Sequence, residues 1–238
     1  VPPSIDPTTI EFHPDRAAAL ASVPETPCDG LDLHERLLGR RHPEAGRVAA
    51  TSFGIVGDSG MGSPHRLLLL REASWDALVA RYATAVRSRE VVRAARQTTL
   101  VRGGFFMCGA AALDNRELLP PFFPAGRNED GAFGVLVPTC SADACFGHLP
   151  WVIAHEPPEP RRFEPDAMWA PRDVGAVRIT DLLVHAVTTW RPSFLPASPR
   201  DRMLALGAHL GALATMPRPL RAQRANFSPT SAMKFVLP

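Results

Sequence analysis

The sequence predicts an α/β fold: a mixed sheet flanked by helices, with a helical C-terminal extension. Three observations predict it. Residues 47–56 alternate loosely between apolar and polar side chains, the two-residue period of a strand. Two short apolar runs, 105–113 and 151–154, end in polar groups, Asp114-Asn115-Arg116 and His155. Polar groups at the ends of buried strands are where open α/β sheets place their chemistry. Stretches with apolar residues at helical spacing surround these runs, at 74–96, 129–137, 180–190 and 199–216.

Residues 1–47 form a proline-rich lead-in, with Pro2, Pro3, Pro7, Pro14, Pro24 and Pro27. It is expected to be irregular apart from short helices. One is placed at 15–22. Another carries Asp32 and Glu35 at capping-box spacing before Leu37-Leu38, with Gly39 as its stop and His34 at its surface. Residues 48–157 are expected to hold the α/β core. After the strand at 47–56 comes Gly57-Asp58-Ser59-Gly60, read as a flexible turn, and a further strand is placed at 67–70. Residues 74–96 read as a helix capped by Ser74, with Trp75, Leu78, Val79, Tyr82 and Val86 on one face and its arginines on a solvated one. Residues 158–238 read as a proline-rich linker followed by two helices. The second of these starts at Ser198-Pro199-Arg200-Asp201, a cap, a first-position proline and an acid three residues on.

Composition narrows the function. Hydrophobic residues make up 45 % of the 238 and charged residues 21 %, which suits a sizeable core and excludes general disorder. The net charge of +2 gives no ground for a nucleic-acid partner or an acidic membrane surface. Lys234 is the only lysine, so the many arginines read as compositional bias rather than phosphate recognition. Cys28, Cys108, Cys140 and Cys145 form no Cys-x-x-Cys pair and lack zinc-site spacing, which fits a reduced, cytoplasmic compartment. No signal peptide is visible, and no apolar run approaches the roughly 18 residues that span a bilayer. The first residue is valine, so the chain reads as a processed product or a fragment. Its oligomeric state is not legible.

The centre of the chain carries the chemistry. Asn128 is a good helix cap, and Glu129 and Asp130 then fall in the first turn. Phe133, Leu136 and Val137 follow at helical spacing, and Pro138 is expected to stop the run. The helix dipole keeps first-turn carboxylates ionised, the state a general base needs. Ordinary first-turn acids would look the same.

Asp114-Asn115-Arg116, the Glu129-Asp130 pair opening a short helix, and the strand ending at His155 resemble the acceptor half of A-type glycosyltransferases of the large inverting family. The likeness covers about a quarter of the chain. It implies a glycosyltransferase A-like sheet and transfer of a sugar from a nucleotide-sugar donor to an acceptor hydroxyl. By the resemblance, Asp130 is the base and Glu129 the preceding acid that orients the acceptor. Asp114, Asn115 and Arg116 bind acceptor hydroxyls, Arg127 faces the diphosphate, and His155 ligates a divalent metal, Mn²⁺ or Mg²⁺. His148, in a turn, is a weaker candidate for that ligand. The family's Asp-x-Asp motif is missing, and residues 1–47 show no βαβ pattern, so the chain reads as a truncated catalytic half.

Two other readings stand beside it. The same fold can bind a sugar or a protein without catalysis. Gly57-Asp58-Ser59-Gly60 also resembles the nucleophile segment of chymotrypsin-like serine hydrolases, with Ser59 as nucleophile, but Met61 stands where the next glycine belongs.

Overall fold

A computed structural model describes residues 8–12, 16–23, 25, 29–60, 64, 79–102, 106, 110–124, 128–167 and 179–216. The architecture is α/β, a mixed open sheet flanked by helices. Strand β3 (Gly46–Asp58) is the spine of seven described strands. Strand β7 (Ala144–His155) runs parallel to it on one side, and β5 (Thr99–Val101) closes that edge antiparallel to β7. On the other side of β3 lie β4 (Glu90–Ala95) and then β1 (Thr8–Phe12), both antiparallel to their neighbours. The short strands β2 (Arg41–His42) and β6 (Ala111–Leu113) pair antiparallel with the first half of β3.

The small residues of β3 explain its place. Val48, Ala49, Ala50 and Thr51 are all buried, so both faces of this strand are covered. Helix α1 (Arg16–Ala21) packs against β3 and β4. Helix α2 (Gly30–Glu35) lies over Thr51, where His34 Nδ1 sits 2.7 Å from the Thr51 hydroxyl and the ring stacks on Phe53. Just beyond α2, Leu37 covers Gly147 so closely that a Cβ there would meet it at 2.5 Å. Helix α4 (Glu129–Cys140) instead packs Phe133 and Val137 on Ala50, Phe106, Ala144 and Phe146. Successive strand residues face opposite ways, so Phe146 and Gly147 put α4 and α2 on opposite faces of the sheet.

The far side of α4 is also buried. Leu136 and Cys140 join Val187 and Trp190, from helix α5 (Ile179–Thr189) and the residue after it, and Leu206 of helix α6 (Pro199–Thr215). Helix α6 starts as expected: the Ser198 hydroxyl accepts from the Asp201 N–H at 3.1 Å. No described helix is long and apolar enough to cross a membrane.

Several local expectations are corrected. The helix expected over 74–96 is described only from residue 79, and helix α3 (Tyr82–Ala85) is its last regular turn. Val79 and Tyr82 are exposed there. Residues 90–95 are strand β4, because Val91 and Val92 pair with β3 and β1 on either side, a context no local spacing reveals. The lead-in expected to be irregular contributes edge strand β1. Asp29, not Asp32, caps α2, accepting from the N–H groups of Leu31 and Asp32. His34 is buried rather than on the surface, and burial lowers its pKa below the ordinary histidine value. Asn128 makes no side-chain cap; it adopts the left-handed conformation with φ 73°. Pro138 does not stop α4, which continues to Cys140. Packing on two sides outweighs the roughly 3 kcal/mol that an interior proline costs. The strand expected at 67–70 and the Ser74 cap lie outside the described residues.

Candidate functional site

Because β3 and β7 are parallel, their C-terminal ends emerge together, with Gly57 paired to His155. Gly57 has φ 106°, and a Cβ would lie 2.7 Å from the His155 carbonyl, so glycine is required there on both counts. The next residue, Asp58, is wholly buried. Its carboxylate accepts from the Gly60 N–H at 2.7 Å, from Arg89 Nε at 3.1 Å and from Arg161 Nε at 3.0 Å. Arg161 Nη2 reaches the other oxygen at 2.8 Å. Burial pushes the Asp58 pKa up, but the hydrogen bonds from Gly60, Arg89 and Arg161 outweigh it and hold the carboxyl below the usual range. The Arg89 guanidinium also lies over the Phe163 ring, 5.2 Å from its centroid.

His155 completes this end. Its Nδ1 lies 2.6 Å from the Asp58 main-chain carbonyl. A carbonyl only accepts, so Nδ1 carries the hydrogen, and in the neutral ring Nε2 presents the lone pair. Such an orienting bond is common behind metal-ligating histidines. Among the described residues, however, no three His, Cys, Asp or Glu side chains gather as a metal site. The Asp58 oxygens are engaged with arginine, so the described residues offer a divalent cation one nitrogen. They do not fit a complete Mn²⁺ or Mg²⁺ site.

Asp114 lies at the opposite end of the sheet. It follows β6, which runs antiparallel to β3, and its N–H donates to the Ala49 carbonyl at 2.9 Å. Its buried carboxylate takes Arg47 Nη1 at 2.5 Å and Arg116 Nε at 2.7 Å. The Arg116 hydrogen bond, chiefly, lowers the Asp114 pKa despite burial, and the same bond raises that of Arg116. Arg116 itself is 71 % exposed in its side chain, and Asn115 is exposed beside it. The rise of a strand puts Arg47 roughly 35 Å from Asp58 along β3. The two polar strand ends read from the sequence as one site therefore stand at opposite ends of the sheet. Antiparallel β6 and parallel β7 deliver their C-termini in opposite directions.

Phe133 and Val137 share a buried cluster with Ala144 and Phe146, and only residues 141–143 separate the end of α4 from the start of β7, so the helix lies back against that strand. Glu129 is exposed and Asp130 half-buried; Asp130 Oδ1 accepts from the Gly131 N–H at 2.8 Å. Phe122 stacks on Phe133 with centroids 4.1 Å apart, bracing the turn. His148 is not in a turn; it is buried within β7, with Nδ1 3.2 Å from the Ser52 hydroxyl. Arg127 lies outside the described residues.

Comparison with known proteins finds no match: no family model, no curated protein and no solved structure matches this chain. The site therefore rests on its own geometry. The grouping missed by sequence reasoning is Asp58 with Arg89, Arg161 and Phe163. Its one local signal was an acid directly after a strand of small apolar residues. Arg161 lies 103 positions further on, beyond the reach of any spacing pattern.

Proposed function

We propose that this chain carries the acceptor-side half of a glycosyltransferase A-like enzyme. It moves a sugar from a nucleotide-sugar donor to an acceptor hydroxyl. One observation carries the reading: α4 opens on Glu129 and Asp130, and because only residues 141–143 join its last turn to the start of β7, this acidic first turn lies away from that start. Asp130 is the base. One of its oxygens is turned to Gly131, and the other takes the proton of the acceptor hydroxyl. As the acceptor oxygen bonds to the anomeric carbon, the bond to the diphosphate breaks and its electron pair leaves with the diphosphate. Glu129 orients the acceptor. Arg127 supplies positive charge for the leaving diphosphate. Arg116, tied to Asp114, and the exposed Asn115 contact the distal part of an acceptor.

A serine hydrolase is a second reading with one supporting observation. His155 sits against the carbonyl immediately before Ser59. Its Nδ1 partner is that carbonyl and not a carboxylate, unlike the aspartate of a triad.

Calorimetric titration of the 238-residue chain with uridine and guanosine sugar nucleotides, with and without Mn²⁺, tests the first reading. Saturable donor binding with sugar release to an acceptor supports it. Binding without any turnover moves the assignment to a sugar-binding domain, and covalent labelling of Ser59 by a fluorophosphonate moves it to a hydrolase.

A further inference from the structure

Four arginines converge where the segment after β7 crosses the turn before β4. The Phe163 N–H donates to the Arg87 carbonyl at 2.9 Å, which fastens 161–163 onto 87–89. Arg89 and Arg161, one from each segment, grip the buried Asp58 carboxylate. Their neighbours Arg87 and Arg162 line a shallow cleft of about 110 Å³ together with Ala83, Thr84 and Ser88. Arg89 and Arg161 together neutralise the buried carboxylate, while the exposed Arg87 and Arg162 beside them line the cleft.

We infer that this cleft binds a phosphoryl group, with Arg87 and Arg162 as its ligands. The guanidinium fork matches phosphate oxygens in a bidentate way. Asp58 takes no part in the binding; with Arg89 and Arg161 it holds the two segments in register, so the outer pair is pre-positioned. The acids nearest in the chain, Glu156, Glu159, Glu164 and Asp166, are exposed, and none lines the cleft. Glu90, at the start of β4, is buried toward Arg16 at 3.9 Å. Helix α3 ends at this cleft, but one helical turn has little dipole to oppose an anion. The cleft shares no residue with the first turn of α4, and this inference does not depend on glycosyl transfer.

The test is titration of the full chain at low ionic strength with inorganic phosphate, pyrophosphate and uridine diphosphate, read by calorimetry and ³¹P line broadening. The expected result is saturable one-to-one binding that weakens by about tenfold or more in Arg87→Gln/Arg162→Gln. It is expected to change by less than about twofold in Arg200→Gln, an exposed arginine on α6. Arg162→Lys keeps the charge and loses the fork, so an intermediate affinity is expected, and this variant serves if the double one does not fold. Binding of uridine diphosphate alone would assign the site to a nucleotide; binding of all three assigns it to the phosphoryl group itself. Equal affinity in wild type and the double variant, an equal loss in Arg200→Gln, or no saturable binding of any of the three overturns the proposal.

Discussion

Asp58 holds two guanidiniums with a carboxylate that water does not reach. Removing its charge leaves Arg89 and Arg161 facing each other without a partner. Breaking a buried pair from one side costs about 3–5 kcal/mol, discounted toward the lower figure here because Arg161 is 44 % exposed. Asp58→Asn is therefore expected to destabilise the chain by about 3 kcal/mol in urea denaturation, and an unchanged midpoint would show the pair to be incidental. Its pKa is lower folded than unfolded, where it takes the ordinary value of 3.8. Its stabilisation is complete above that value and lost as pH falls through the depressed folded one. Asp114 acts with the same sign. Midpoints should accordingly fall steeply below about pH 4, and less steeply in Asp58→Asn. Asp130 belongs to the same scale. Asp130→Asn keeps the shape and removes proton acceptance, so glycosyl transfer is expected to drop by about 10²–10⁴ with the fold intact. Turnover within a few-fold of wild type would place the base elsewhere.

Helix α4 is the element on which the fold and the proposed chemistry both depend. It buries Phe133 and Val137 toward the sheet and Leu136 and Cys140 toward α5 and α6. That two-sided burial explains both its uniformly apolar body and its tolerance of Pro138. Phe133 meets Phe106, Phe122 and the sheet at once. Phe133→Ala is expected to cost about 3–5 kcal/mol, because a rigid aromatic cluster cannot collapse into the space left. It should also loosen the Glu129-Asp130 turn that Phe122 braces. A thermal midpoint within a degree or two of wild type would mean that the cluster carries little of the stability.

Across the described residues, four layers stack in order: α2, the sheet, α4, and α5 with α6 outside α4. Cys145 lies in the sheet layer and Cys140 between the helices, and both are buried without a disulfide. Burial pushes both thiols up to about 11. At pH 8 the thiolate fraction is then roughly one in a thousand, and access is closed as well. Both cysteines are expected to resist iodoacetamide in the native chain and to react once it is unfolded, followed by mass spectrometry of their peptides. Rapid native labelling of either would show that its layer opens.

What the sequence determined by itself is what depends on near neighbours in the chain. Ser198-Pro199-Arg200-Asp201 starts α6 because a cap, a fixed φ and a first-turn acid act within four residues. Glu129 opens α4 and His155 ends β7 at the positions expected, although Asn128 supplies no side-chain cap, and the alternation at 47–56 lies within β3. The tertiary structure alone decided what depends on partners distant in sequence. Val91 and Val92 became a strand because β1 and β3 flank them, where their own spacing favoured a helix. His34 is buried because β3 passes beneath α2, and Pro138 stays helical because two layers clamp α4. The site divides in the same way. The polar strand ends were legible one by one, but whether they meet depends on strand direction. Antiparallel β6 carries Asp114 to one end of β3, and parallel β7 carries His155 to the other, against Asp58. Strand direction is set by hydrogen-bond pairing across the sheet, which leaves no periodic trace in either strand's own residues.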